Sequence, residues 1–347
     1  MEESGEKKNN HLDGLLNKMR SVAAPFRETL NELHAKYLAV RDGTVASYIP
    51  ELATANPDWF GLSVVTTDGQ VFDTGDSKQL FTIQSISKPL VFGLALEEHG
   101  REHVLTKVGV EPSGEAFNAI VLNEASNRPF NPMVNSGAIA TADLIGGKDA
   151  VARLDRLSRM FSRYCGREVY IDNRVFFSER ETGHRNRAMA YLMLNFGMVN
   201  KRVEETLELY FQQCSFLVNS HDLAVIAATL ANGGVNPITG VRALDVAYVK
   251  DLLITMLSCG MYDYAGEWAF RVGIAAKSGV TGGILGVVPG QMGIGVFSPP
   301  LDSKGNSVRG IKVFQELSER FGLHIFESGF QGESFRQLLR AARGGQK

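Results

Sequence analysis

Strand-like segments stand near both ends of this 347-residue chain, and helix-like segments fill the space between them. Gly61 to Asp76, GLSVVTTDGQVFDTGD, holds two β-rich runs around Asp68-Gly69, a dipeptide suited to the tight turn of a hairpin. Phe270 to Ser298 divides into three short apolar runs, FRVGIAAKSGV, GGILGVVPG and QMGIGVFSP, punctuated by Gly and Pro. The simplest assembly puts the hairpin and the three later strands into one five-stranded antiparallel sheet, an α+β architecture.

The helical signals are distributed accordingly. Arg27 to Val40 has much of its apolar spacing at helical intervals, and a second helix runs from near Ser85 to Glu98-His99-Gly100. Between about 100 and 260 the spacing predicts helices at Val151 to Phe161, Arg187 to Phe196, Asn219-Ser220 to Asn232-Gly233, and Val249 to Ser258. A last helix covers Ser307 to Phe321. Residues 1–20 read as a polar leader, 21–327 as a single domain and 328–347 as a tail with an amphipathic or frayed end. Within the domain, 21–90 and 266–327 form the sheet-plus-helix part, flanked by terminal helices, and 91–265 form an inserted helical subdomain.

Composition removes several functional classes. Lys plus Arg number 36 and Asp plus Glu 38, a formal charge of −2, so the chain has no general electrostatic footprint for nucleic acid or anionic membrane. Its three cysteines, Cys165, Cys214 and Cys259, are far apart and form no C-x-x-C, which disfavours a disulfide framework or a zinc knuckle. No apolar run reaches membrane-spanning length and the first residues lack a signal-peptide core, so the expected location is the cytoplasm. Glycine is in excess: 36 residues, where an average chain of this length has about 24. Much of the excess falls in the later strands, and the expectation is a β region whose backbone approaches a substrate closely.

Chemistry enters with Ser85-Ile86-Ser87-Lys88, an S-x-x-K just after the hairpin. Residues i and i+3 share a helix face, so the lysine reaches the serine hydroxyl. Pro89 places the pair in a helix's first turn, where free N–H groups are available to a developing oxyanion. Lys277-Ser278-Gly279, on a predicted strand, completes the S-x-x-K and K-[ST]-G pair of serine β-lactamases and penicillin-binding proteins, although the accompanying S-D-N is absent.

Longer blocks carry a closer likeness: VASYIPELA (45–53), QSISKP (84–89), NPMVNSGAI (131–139), SERETGHRNRAMAYLM (178–193), LYFQQCS (209–215) and MYDYAGEWAFRVGIAAKSGVTGGILGVVPG (261–290). With these blocks in order, the chain resembles the serine-dependent glutaminase family, enzymes of β-lactamase-like fold that hydrolyse L-glutamine to L-glutamate and ammonia. The resemblance implies that Ser85 is the nucleophile and Lys88 its activator. It places Asn135, Glu179, Asn186 and Tyr210 in the substrate site, and Tyr48 and Tyr262 near the reacting centre. It gives the N–H groups of Ser85 and Val280 to the oxyanion hole. It implies no metal or organic cofactor, and a homo-oligomer, commonly a tetramer. Whether Lys88 or Tyr262 is the working base stays open at this level.

The chemistry of glutamine agrees with this set. Its ammonium calls for an acidic partner, and Glu179 is the only acid among these residues; its carboxylate calls for donors, which the asparagine amides and tyrosine hydroxyls supply. Two positions depart from the family pattern, Ser136 and His184, both beside site residues. His184 reads as a solvent-facing loop residue, Glu179 without the family match would read as an ordinary loop acid, Cys214 as a small core residue, and Met189 and Met193 as helix core. The competing readings are a β-lactamase-like esterase or peptidase and a non-catalytic glutamine sensor.

Overall fold

The computed structural model describes residues 25–114 and 118–327. The polar leader and the tail from 328 lie outside these residues. A helix α1 spans 25–38 and a single turn α2 spans Pro50–Ala53. The hairpin strands are β1 (Gly61–Thr66) and β2 (Val71–Gly75), followed by a short β3 (Phe81–Thr82). A 3-10 turn, Gln84–Ile86, leads directly into α3 (Ser87–Leu105), which breaks at Gly100 with φ 74°. Next come α4 (Asn135–Leu144), α5 (Ala150–Cys165), α6 (Asn173–Thr182), α7 (His184–Asn195) and α8 (Val203–Cys214). Strand β4 (Leu217–Val218) precedes α9 (Ser220–Ala231) and α10 (Val246–Cys259). A second 3-10 turn, Tyr262–Tyr264, enters α11 (Ala265–Arg271), and the chain closes with β5 (Ala275–Ser278), β6 (Gly283–Val288), β7 (Met292–Phe297) and α12 (Val308–Phe321).

The two strand groups meet in one antiparallel sheet of order β2-β1-β7-β6-β5. The join is β1 against β7, with Gly61 opposite Phe297 and Val65 opposite Gly293. β7 shows how the two faces are used, since side chains alternate along a strand. Met292, Ile294 and Val296 point into a core built with Phe26, Leu30 and Leu33 of α1, Trp268 of α11, and Val313, Phe314 and Leu317 of α12. Gly293 and Gly295 point the other way, onto α9. That helix is capped by Asn219 and Asp222, whose side chains each accept the other's backbone N–H.

Three readings change. The run beginning at Phe270 is not strand throughout: Phe270 lies in the last turn of α11 and is 85% exposed, Gly273 turns the chain at φ 61°, and the strand starts only at Ala275. The mainly helical middle contains β4, which pairs with β3 in a separate two-stranded sheet. The sheet glycines are mostly not substrate-facing. A Cβ on Gly293 would lie 2.1 Å from the Ala228 nitrogen, one on Gly295 would lie 2.1 Å from the Ser220 carbonyl oxygen, and one on Gly286 would strike the Phe314 ring. They let helices seat on the sheet, with small residues on both sides of the α9 contact. Gly293→Ala is therefore expected to destabilise the fold by about 3 kcal/mol, because the obstructing atoms are helix backbone and no rotamer relieves them. Equilibrium unfolding checks this, and a loss under about 0.5 kcal/mol contradicts it.

Candidate functional site

Ser85 occupies the 3-10 turn between β3 and α3 and is buried, 7% exposed. The preceding Gln84 has φ 48°, an uncommon conformation for a residue with a side chain, and such strain is kept where the surrounding structure enforces it. Here Ser87 and Gln213 supply the enforcement: Ser87 Oγ donates to the Gln84 carbonyl at 2.7 Å, and Gln213 Nε2 donates to Ser87 Oγ at 3.1 Å. Lys88, the second residue of α3, is fully buried. Its Nζ donates to the Met133 carbonyl at 3.1 Å and to Asn135 Oδ1 at 2.7 Å. Asn135 Nδ2 in turn donates to Asn186 Oδ1 at 3.0 Å. This relay runs in one direction only, and it leaves the Asn186 amide nitrogen as a donor at its far end.

On the other side stands Glu179, buried on α6 rather than in a loop. Tyr48, half exposed as a residue, sends its hydroxyl inward to donate to Glu179 Oε1 at 2.7 Å, and lies 3.2 Å from Gln84 Oε1. Burial raises the Glu179 pKa, and its bonds with Tyr48 and Gln84 pull it partly back. Tyr210 is buried on α8 beside Cys214 and Glu179. Tyr262, at φ 52°, places its hydroxyl against the Ser85 side chain and donates to the Ser278 carbonyl at 3.1 Å. Burial pushes its pKa up, so it holds its proton at neutral pH. Lys88 moves the opposite way: burial lowers it to about 8, with Cys214 and Glu179 opposing the shift.

Val280 enters by its backbone. Its side chain packs against Ile49, Leu52 and Val175. The segment holding it lies beside the Ser85 turn: Thr281 Oγ1 donates to the Thr82 carbonyl at 3.1 Å, and a Cβ on Gly279 would lie 3.2 Å from the Ile83 carbonyl oxygen. Among the described residues the Val280 N–H donates no backbone hydrogen bond. Two clefts reach this cluster. One of about 250 Å³ is lined by Met133, Val134 and Tyr262, and one of about 410 Å³ by Thr82, Val280 and Thr281. A separate groove of about 970 Å³ along Arg156, Arg163 and Tyr170 includes none of these residues.

The flagged neighbours fall into ordinary places. Ser136 is buried on α4, and His184 is exposed as the first residue of α7 rather than in a loop. Burial and Glu179 push the Cys214 thiol up to about 12, which suits an inert core residue. Met189 and Met193 are core. Among the described residues no group of three or more His, Cys, Asp or Glu is placed to hold a metal ion, and no helix is long and apolar enough to cross a membrane.

Sequence reasoning assigned no site role to Gln84, Ser87 or Lys277. Gln84 and Ser87 lie inside the QSISKP block and Lys277 inside K-S-G, so the motifs marked them, but their roles depend on partners distant in the chain.

The arrangement is a buried serine touched by a tyrosine hydroxyl, a buried lysine one turn on, and a buried carboxylate opposite a directed amide relay. The sequence model of the family described as Glutaminase matches residues 43–326. A glutaminase of Microcystis aeruginosa is 64% identical over 311 residues, covering 90% of this chain and 92% of that protein. One from a Nostoc species is 64% identical over 304 residues, covering 88% and 91%. Among solved structures, "Probable glutaminase ybaS" superposes with a TM-score of 0.85 at 40% identity, covering 87% of this chain and 98% of that one. A structure of Mglu in its glutamate form gives 0.84 at 43% identity, covering 89% and 71%. The chain belongs to the glutaminase family.

Proposed function

We propose that this protein hydrolyses L-glutamine to L-glutamate and ammonia through a γ-glutamyl ester on Ser85. The observation that carries the reading is the contact of the Tyr262 hydroxyl with Ser85, with buried Lys88 one turn away. Glu179 takes the substrate's ammonium, which offsets the burial that raises its pKa, and the Asn186 amide and Tyr210 face the α-carboxylate. Lys88, neutral, accepts the Ser85 proton as Oγ bonds to the side-chain carbonyl carbon. The N–H groups of Ser85 and Val280 hold the oxyanion. The C–N bond breaks as Tyr262 protonates the leaving nitrogen; water then attacks the ester, giving its proton to the Tyr262 oxygen, and Ser85 Oγ leaves with the proton held by Lys88, which frees glutamate and restores all three groups.

The fold belongs to the same proposal. S-x-x-K at the start of a helix, with K-S-G at the end of β5, an edge strand of a five-stranded antiparallel sheet, supports a β-lactamase-like arrangement. A cytoplasmic homotetramer is part of the reading as well.

The test is ammonia release by the pure protein, run beside nitrocefin and p-nitrophenyl acetate. Glutamine turnover with the others inert is expected. Nitrocefin turnover with glutamine inert overturns the reading, and so does a single stoichiometric release of ammonia without turnover. Glu179→Gln is expected to raise KM for glutamine about 10- to 100-fold with a smaller effect on kcat, the scale of a lost charge-assisted bond. An unchanged KM removes Glu179 from ammonium binding.

A further inference from the structure

Lys277 is fully buried, and no step above uses it. Its Nζ donates to the Gly260 carbonyl at 2.9 Å and to the Ser278 carbonyl at 2.7 Å, and it stands 4.3 Å from the centre of the Tyr262 ring. The two carbonyls engage both N–H donors of a neutral amine, and the ring face takes the third of an ammonium. No donor remains for a ligand, so the geometry does not suit a lysine that grips a substrate carboxylate.

What Lys277 touches is the frame around Tyr262. Ser278 N donates to the Gly260 carbonyl at 3.1 Å, and the Tyr262 hydroxyl donates to the Ser278 carbonyl at 3.1 Å. Gly260 is pressed onto β5 so closely that a Cβ there would lie 1.8 Å from the Ala276 carbonyl oxygen. The 3-10 turn that follows Gly260 opens with Tyr262 at φ 52°, a conformation that persists only under external constraint. Lys277 ties the carbonyl before this turn to the carbonyl that receives the Tyr262 hydroxyl, and its head lies against the ring between them. Burying a lysine is costly, and burial followed by the charge of Lys88 pushes its pKa well down. Two carbonyls and a ring face are the groups that offset that cost.

We propose that Lys277 is a positioning residue that holds the strained Tyr262 turn so that the Tyr262 hydroxyl meets Ser85. This rests on the roles given to Ser85 and Tyr262 under Proposed function. A misplaced proton donor slows the chemical step and leaves the glutamine contacts of Glu179 and Asn186 intact.

The experiment is a double-mutant cycle on the full chain with L-glutamine. Lys277→Met is expected to lower kcat about 100-fold with KM within about twofold, the scale of a small displacement of a reacting group. In a Tyr262→Phe background, the same substitution is expected to cost less than about threefold, because the group it positions is gone. Lys277→Gln keeps two N–H donors and is expected to recover kcat to within about tenfold of wild type. If thermal unfolding shows that Lys277→Met does not fold, the cycle is run with Lys277→Gln and read by the same non-additivity. Equal losses in the two backgrounds overturn the proposal, as does a KM rise without a kcat loss. Wild-type ammonia release tests the functional reading itself, whereas additivity in the cycle counts against Lys277 alone.

Discussion

Ser85→Ala is expected to lower kcat for ammonia release by about 10⁴- to 10⁶-fold, the range seen when a catalytic nucleophile is removed, while glutamine still binds. The asymmetry follows from the geometry. The serine hydroxyl meets Tyr262, whereas the groups proposed to hold the substrate's two charges, Glu179 and Asn186, are fixed by other partners. Tyr48 bonds Glu179, and Asn135 bonds Asn186. Removing one hydroxyl leaves those contacts and the backbone N–H groups in place, so direct attack by water is the remaining route. Single-turnover kinetics and calorimetric binding measure the two halves. An acid-quenched wild-type reaction should also carry a γ-glutamyl adduct on the peptide containing Ser85. Activity within about tenfold of wild type would sink the nucleophile assignment.

The second large effect concerns Lys88. Burial brings it to about 8, so it begins to shed its proton near physiological pH, while burial holds Tyr262 protonated. A base works in its unprotonated form. The kcat/KM of the free enzyme should therefore rise with pH through a midpoint near 8. It should fall about tenfold per pH unit well below that midpoint. Tyr262, its pKa pushed the other way, cannot produce this limb, which divides the two candidates: Lys88 as base and Tyr262 as proton donor. Lys88→Met, close in length and without a lone pair, is expected to cost about 10³-fold and to abolish the rising limb. A flat profile between about pH 6 and 9 in the wild type would contradict this division.

Local readings succeeded where the local sequence carries the cause. Asp68-Gly69 forces a turn, so the hairpin was legible; Asn219 and Asp222 cap α9, so its start was too. The helical stretch starting near Ser85 and Pro89 together put Ser85 at the edge of a helix, and α3 begins two residues on, at Ser87. The segment from Phe270 misleads because a short apolar run leading to a Gly reads the same at the end of a helix as at the start of a strand. Only the packing of Trp268 under α12 marks that segment as helix. Glu179 read as a loop acid without the family match because acids are usually exposed. Its burial follows from Tyr48, far away in the chain, and no spacing rule reports that contact.

The glycine excess shows the same division between local and distant causes. Counting placed it in the later strands, and that placement stands. Its use was set from elsewhere: Gly293 and Gly295 make room for α9, Gly286 for Phe314, and Gly279 and Gly283 lie against Ile86 of the Ser85 turn. Strand and helix periodicity, turn chemistry and the inventory of reactive side chains are properties of neighbouring residues, so the chain alone determined them. Sheet order, the burial that moves Lys88 and Glu179, and the assignment of Lys277 to the Tyr262 turn are set by contacts between segments distant in sequence. Desolvation and close approach depend on every group that surrounds a site, and only the folded chain brings those groups together.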